Sequence, residues 1–407
     1  MDPETSRRWR WNPALRVVRE KRGGRDVAVL HDPQHDEYYQ LGLTEFELAR
    51  AFEDGRDLES VRQSVTARGQ EPPSLGDLAA FAAQLAESNL LLPTDDGTVS
   101  VAPAARRALW RRLLAIRIAA VHPEAFFARF APPLRFLFGT PALVAGAALV
   151  LGASWIAAGA WGTYRLELRT GWSGPMLAVT WLLYGIVILV HELAHGFACA
   201  HFGGRVRAMG FLLLYGKPCA YCDVSDAWLL PKSARLWIMA AGSLVEIVLW
   251  AVATLVWWLT APATLWHRGA VVVMAISGVG TLFNLNPLLK FDGYYMLSDS
   301  LEIPNLRQRA FHHLGRCLLG RPREPATARE RRVFWIYGVA ALVYSTLVLG
   351  WLVVRLHGWM AGTWGSLGAW LFWVAAGAVA VRPVLRLIRG AFGWLRSRLR
   401  GTHSRAG

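Results

Sequence analysis

The sequence predicts a multi-pass α-helical membrane protein of about six transmembrane helices, carrying a small α+β domain at its N-terminal end. Three observations predict it. Six apolar segments, at about 137–160, 174–198, 234–260, 269–287, 333–354 and 364–382, are each roughly long enough to cross a bilayer. Arginine and lysine gather in 199–235, in 288–332 and in the C-terminal tail, whereas the connections 161–173, 261–268 and 355–363 carry few. By the positive-inside rule this asymmetry gives one topology, with both termini cytoplasmic. The first 95 residues instead alternate and repeat as soluble strands and helices do.

Composition agrees. Of 407 residues 54% are hydrophobic and 20 are tryptophan, and the mean hydropathy is +0.28. A net charge of +15 suits nucleic acid or anionic lipid. Because the arginines flank apolar segments, membrane lipid is the expected partner and nucleic acid is not. The cysteines, Cys199, Cys219, Cys222 and Cys317, make no disulfide framework. No signal-peptide pattern opens the chain, since the first long apolar run begins after residue 130, so the N-terminus is expected to stay in the cytoplasm.

Taken in order, "DVAVLHDPQHDEYYQLG" (26–42) alternates apolar and polar residues about a polar turn, as a β-hairpin does. "TEFELARAFEDG" (44–55) comes next as a helix with Thr44 as N-cap and Gly55 at its end. "DLESVRQSVTARG" and "SLGDLAAFAAQLAESNLLLP" read as two more amphipathic helices. A hairpin with three short helices makes 1–95 a winged-helix-like domain. Residues 96–135 are a linker succeeded, from 106, by a basic and aromatic stretch. That stretch is expected to lie on an anionic membrane face or, equally, to form a helix packed on the soluble domain. The membrane core runs from 136 to 300, a basic cytoplasmic loop from 301 to 332, a C-terminal transmembrane hairpin from 333 to 385 and a basic cytoplasmic tail from 386 to 407. "GFLLLYG" (210–216) is too short to span and is expected as a re-entrant hairpin covered by protein.

Chemistry concentrates in "VILVHELAHGFACAHFGG" (187–204). His191 and His195 stand four apart and so share one face of a helix. Two imidazoles at that spacing bind one zinc ion (Zn2+), with Glu192 between them as general base. Coincidence or a structural histidine pair would produce the same letters, but neither accounts for a glutamate between two histidines on an otherwise charge-free apolar helix. A catalytic zinc needs a third protein ligand. "FNLNPLLKFDGYYML" (283–297) offers Asp292, on the same expected side of the membrane. An Asp-Gly pair more often marks a turn or a cap; beside HELAH the ligand reading is preferred. Gly293 lets the chain turn sharply and Pro287 ends the helix. Asn284 and Asn286 are polar groups suited to holding an extended peptide backbone.

HELAH on one apolar helix with NLNPLLKFDG after a later one resembles the site-2 protease family of intramembrane zinc metalloproteases. That family's second motif is Asn, two residues, Pro, four residues, Asp-Gly, which Asn284, Pro287, Asp292 and Gly293 match. Its intervening helix carries a glycine, often with an Asn. "MAAGSLVEIVLW" (239–250) resembles it through Gly242, while Glu246 stands near where an Asn is common. The resemblance covers about 174–300. It implies that His191, His195 and Asp292 bind zinc, that Glu192 activates water, that Asn284, Pro287 and Gly293 belong to the substrate-binding motif, and that the site lies below the cytoplasmic membrane surface.

Other polar residues have plainer readings. Cys219 and Cys222 are expected as reduced thiols rather than a redox pair or half a zinc site. Asp223 and Asp226 are expected as solvated loop carboxylates, His201 as a boundary residue, and His312 and His313 as members of a polar loop. Glu246, inside an apolar span, is either functional or a hydrogen-bonded structural group.

The pattern of the N-terminal domain resembles the PqqD-like peptide-binding domains, which hold leader segments of ribosomally made peptides by strand addition. Fusion to a membrane peptidase resembles the bacterial peptide zinc metalloproteases. This implies a multi-pass protein of the bacterial inner membrane that cuts a peptide or membrane-anchored substrate in peptide maturation or export, beside a membrane-fusion protein of an export system. The alternative is a non-catalytic membrane component of such a system that binds its peptide. A DNA-binding regulator is set aside because no recognition helix stands out.

Overall fold

The computed structural model describes residues 8–403 apart from 23, 34–36, 54–55, 68–72, 95–114, 171–173, 215–216 and 319–325. The chain forms two compact units, 1–306 and 307–407.

The first unit begins with β1 (Trp9–Trp11), β2 (Arg16–Arg22), β3 (Arg25–Asp32) and β4 (Glu37–Gly42). β2, β3 and β4 form an antiparallel sheet in that order. Helices α1 (Leu43–Arg50), α2 (Leu58–Ala67) and α3 (Leu75–Glu87) come after them, and β5 (Leu91–Pro93) closes the domain by pairing with β1. The hairpin and the three helices stand where the sequence expects them, with β2 and the β1–β5 pair in addition. Trp11, Leu30, Phe46, Phe52, Leu78 and Leu85 meet in one core. Helix α1 is capped by Gly42, not Thr44: the Gly42 N–H donates to Glu45 Oε2 at 2.9 Å, which moves the helix start forward.

The expectation of a helical segment at 106–135 is corrected where it is described. Residues up to 114 lie outside the described residues, and 115–121 form a strand, β6 (Ala115–Val121). It pairs with β7 (Met209–Leu214), which pairs with β8 (Lys217–Cys222). Ile116, Ile118 and Val121 suit a strand, and the partner that fixes it lies about 90 residues away, beyond the reach of local pattern. Residues 210–214, expected in a re-entrant hairpin, thus belong to β7 of a three-stranded sheet with β8 at its edge, while 215–216 lie outside the described residues. A short helix, α4 (Glu124–Phe130), and a 3-10 turn at Pro133–Phe138 succeed β6.

Among the described residues, five helices are long and apolar enough to cross a membrane. Four lie in the first unit: α5 (Thr140–Gly159), then, past the short α6 (Trp161–Thr170), α7 (Gly174–His201), α8 (Lys232–Leu259) and α9 (Leu265–Asn284). Helix α8 is central and packs against α5, α7 and α9. Its buried face carries Ala241, Gly242, Ala251 and Ala253, small residues that let helix backbones come close. The unit ends with α10 (Asp292–Leu301).

The second unit holds most of α11 (Leu306–Leu318) and the helical run α12 (Ala328–His403). The two expected C-terminal spans therefore lie in one run whose helical geometry breaks at Gly365 (φ 61°, ψ −141°), and the expected connection 355–363 is helical. A glycine at positive φ supplies the break. His312 and His313 sit on α11 rather than in a loop, and His313 packs beside Phe334.

Two buried ionic clusters tie the N-terminal sheet to the helical core. Arg235, 1% exposed at the start of α8, donates from Nε to Asp299 Oδ2 at 2.8 Å and from Nη1 to Glu20 of β2 at 3.1 Å. Asp226, expected as solvated, is buried instead. It accepts from Tyr38 Oη at 2.6 Å and from Arg207 Nη2 at 2.7 Å, and its second oxygen accepts from the Arg205 amide at 3.2 Å. Burial raises the cost of ionising Asp226, but the Tyr38 hydroxyl and the Arg207 guanidinium outweigh it and hold the carboxyl below its usual range.

Arg235→Met leaves Asp299 buried without its counter-charge, at an expected cost of about 3–5 kcal/mol. The purified protein should melt at a clearly lower temperature in detergent, and Arg235→Met/Asp299→Leu should recover most of the loss. A double variant no better than the single one would show that the ion pair is not what Arg235 contributes. The Asp226 cluster should show in the pH dependence of melting. Its stabilisation is fully present above the unfolded carboxylate value of about 3.9 and is lost as pH falls through the lower folded value. Wild type should therefore melt above Asp226→Asn near neutral pH, and the gap should close under acid.

Candidate metal centre

The centre is built on α7, an apolar helix through its length until His191, where one turn presents two imidazoles to α8. Both histidines are buried. Gly242 stands opposite them on α8: a Cβ built there would lie 2.5 Å from Nε2 of both rings. Glycine is thus what admits the two rings between the helices. On the other side of α7, Gly196 meets the buried Phe127 of α4, where a Cβ would lie 2.3 Å from Cζ.

Ring partners decide where the lone pairs are. His195 Nδ1 lies 2.7 Å from the carbonyl oxygen of Ile238. A carbonyl only accepts, so Nδ1 carries the proton and Nε2 presents a lone pair. His191 Nδ1 faces Glu246 Oε1 at 3.2 Å. The two Nε2 atoms are 3.0 Å apart. Asp292 Oδ2 lies 3.3 Å from one and 3.5 Å from the other. That oxygen is buried and makes no aligned hydrogen bond among the described residues.

These three atoms fit a metal ion. Acceptors turned toward one another at 3.0–3.5 Å repel unless a cation lies among them. A tetrahedral ion with arms of about 2.0–2.1 Å sets its ligands roughly 3.3 Å apart. His191, His195 and Asp292 are the group of metal-binding residue types that converges this way among the described residues.

The other expected site residues lie close by. Glu192 is half-buried beside the two histidines, and its carboxylate reaches the backbone amide of Cys222 on β8. Asn284, the last residue of α9, donates from Nδ2 to Glu246 Oε2 at 3.3 Å. Asn286 Oδ1 accepts from the Leu288 amide at 2.9 Å, shaping the turn that contains Pro287. Gly293 lies where a Cβ would come 2.3 Å from the Leu285 carbonyl oxygen, so a side chain there would push α10 away from the end of α9. Asn284 thus bonds across to α8, and Asn286 shapes its own loop.

Three contributors escaped sequence reasoning: the Ile238 carbonyl, the Phe127 seat and the Cys222 amide. Two of these are backbone groups, which no residue pattern marks, and Phe127 lies in a segment read only as amphipathic. Cys219 and Cys222 are free thiols three apart on a strand, so their side chains leave opposite faces. Burial pushes the Cys222 thiol up, as does Glu192 nearby, which keeps it protonated.

No protein-family model, curated protein or solved structure matches the chain, so its functional reading rests on the geometry of this centre.

Gly242→Ala removes no ligand but places a methyl group against both Nε2 atoms. The purified variant should retain well under half of the metal that wild type binds per chain, by elemental analysis, while its metal-free form stays folded and melts somewhat below the wild-type temperature. Undiminished metal content in Gly242→Ala would show that the two Nε2 atoms are not where the ion binds.

Proposed function

We propose that the chain is an intramembrane zinc metalloprotease of the site-2 protease type, cutting a peptide or a membrane-anchored substrate. The observation that carries this reading is the convergence of His191 Nε2, His195 Nε2 and Asp292 Oδ2, with Glu192 beside them on the same helix. Two imidazoles and one carboxylate are a donor set that suits zinc with a position left open. Bound there, zinc would polarise a scissile carbonyl and make a water molecule more acidic.

The chain's own groups supply the rest. Asp292 and the two histidines hold their positions through α10, Ile238 and Glu246. Glu192 takes a proton from the attacking water and returns it to the leaving amine, so that water adds across the C–N bond with no net proton change. The Cys222 amide steadies that carboxylate. β8 is an edge strand beside Glu192, the kind of strand along which an extended substrate can pair as it passes the site. Strand pairing also unwinds a helical substrate, which hydrolysis requires.

On the same reading the five apolar helices embed the protein in a bacterial inner membrane, with the break at Gly365 turning the last run into a hairpin and both termini cytoplasmic. The N-terminal domain is PqqD-like, binding a leader peptide and bringing it to the core to which Arg235 and Asp226 fasten it. An export-system membrane-fusion protein is the fitting partner.

The test is cleavage by the full chain in lipid–detergent micelles, with a set of membrane-anchored and soluble peptides read by mass spectrometry. Wild type should cut some of them. Glu192→Gln should cut them about 10²–10⁴-fold more slowly while holding the same amount of zinc. Equal cleavage by the variant would remove Glu192 from the mechanism. Zinc-replete wild type that binds peptides and cuts none would instead support the non-catalytic export component.

A further inference from the structure

Glu246 is a carboxylate in the middle of an apolar helix, 4% exposed. A charge there is costly unless something holds it. No lysine or arginine pairs with it among the described residues. Its Oε1 lies 3.2 Å from His191 Nδ1. Its Oε2 accepts from Asn284 Nδ2 at 3.3 Å and from Thr281 Oγ1 at 3.4 Å. Gly280 makes the space, because a Cβ there would lie 3.1 Å from both carboxylate oxygens. The seat is therefore built, and it opens onto one imidazole.

We propose that Glu246 is a positioning residue of the metal centre: it holds the His191 ring by Nδ1 so that Nε2 is offered to the ion, and it ties that ring through Asn284 to the loop that delivers Asp292. The proposal rests on the reading of His191, His195 and Asp292 as metal ligands. Glu246 cannot itself join them on the same ion, since it meets the opposite nitrogen of the ring. The Nδ1–Oε1 contact is electrostatic and not an aligned hydrogen bond, and Nδ1 has no aligned partner elsewhere among the described residues. The ring's outer nitrogen thus depends on Glu246 alone, whereas that of His195 rests on a main-chain carbonyl that no substitution removes. Ligand histidines held in this way lose about 10–100-fold in metal affinity when the outer partner is deleted.

The experiment is zinc affinity of the full chain in detergent, by competition with a chromophoric chelator. Wild type is compared with Glu246→Leu, Glu246→Ala, Glu246→Gln and Glu246→Asp, and the melting temperature of each zinc-free form is recorded. Leu and Ala should weaken zinc about 10–100-fold. Gln keeps an oxygen facing Nδ1 but not the charge, and should fall between wild type and Leu. The absorption band of the cobalt-loaded protein should shift in Leu and Ala, a change that a role confined to helix packing would not produce. Wild-type affinity in Leu and Ala, or a loss in Gln equal to theirs, overturns the proposal. If neither Leu nor Ala keeps its zinc-free fold, Asp decides: its shorter reach should weaken zinc, and unchanged affinity overturns the proposal. A wild type that takes up no zinc fails the metal reading itself, whereas zinc-binding wild type with unaffected Glu246 variants fails this proposal alone.

Discussion

The repulsion among three lone-pair atoms in an apolar helix bundle is the constraint on which the rest of the first unit depends. Nε2 of His191, Nε2 of His195 and Oδ2 of Asp292 sit 3.0–3.5 Å apart, away from bulk water. Apolar packing offers them no compensation. The backbone around them shows the space this convergence needs. Gly242 yields room to the rings, Gly280 to the carboxylate behind them, and Gly293 to the loop that carries Asp292. At Gly242 and Gly293 a single methyl group would collide, at Gly280 it would crowd the carboxylate, and each meets a different part of the surroundings. Three such close approaches converging on one point describe a site held by α8, α9 and α10 together, not a motif carried by α7.

The candidate ligands were more legible than the scaffold. HELAH and NLNPLLKFDG mark their residues because metal chemistry admits few residue types at few spacings, and the intervals survive as letters. The apolar spans were legible for a similar reason: a bilayer demands about 20 apolar residues whatever the fold. The supports were not. His195 is oriented by the carbonyl of Ile238, and every residue has a carbonyl. The strand at Ala115–Val121 is fixed by β7, far along the chain, so its local basic and aromatic character pointed to a surface helix. Asp226 looked like a loop carboxylate because the cations and hydroxyl that bury it, Arg207 and Tyr38, come from 19 and 188 positions away.

That last pairing bears on how the N-terminal domain is used. A domain that only recruits a peptide could hang on a flexible linker. Here β2, through Glu20, and β4, through Tyr38, grip the core at Arg235 and Asp226. Arg235 begins α8, the helix that carries Gly242 and Glu246, and Asp226 lies four residues after Cys222, whose amide meets Glu192. Both attachments therefore fall on elements that line the centre. Strain or relief at the sheet has a short mechanical path to it, through packed helix and strand.

The order of assembly is set by the same geometry. α7 can present His191 and His195 as soon as it is helical, but Asp292 arrives only when α9 has packed on α8 and the turn through Pro287 has closed over Leu285. The third ligand atom thus exists at the site only in the packed bundle. A metal bound by all three stabilises that packing over any looser arrangement of the same helices, by an amount set by its concentration relative to its affinity. Glu246 extends the linkage, since its carboxylate spans from the first ligand helix to the last residue of α9. With a metal bound there, metal binding and helix packing in this unit would be one equilibrium, and any residue that tightens the contact between α8 and α9 would act on metal affinity without touching the ion.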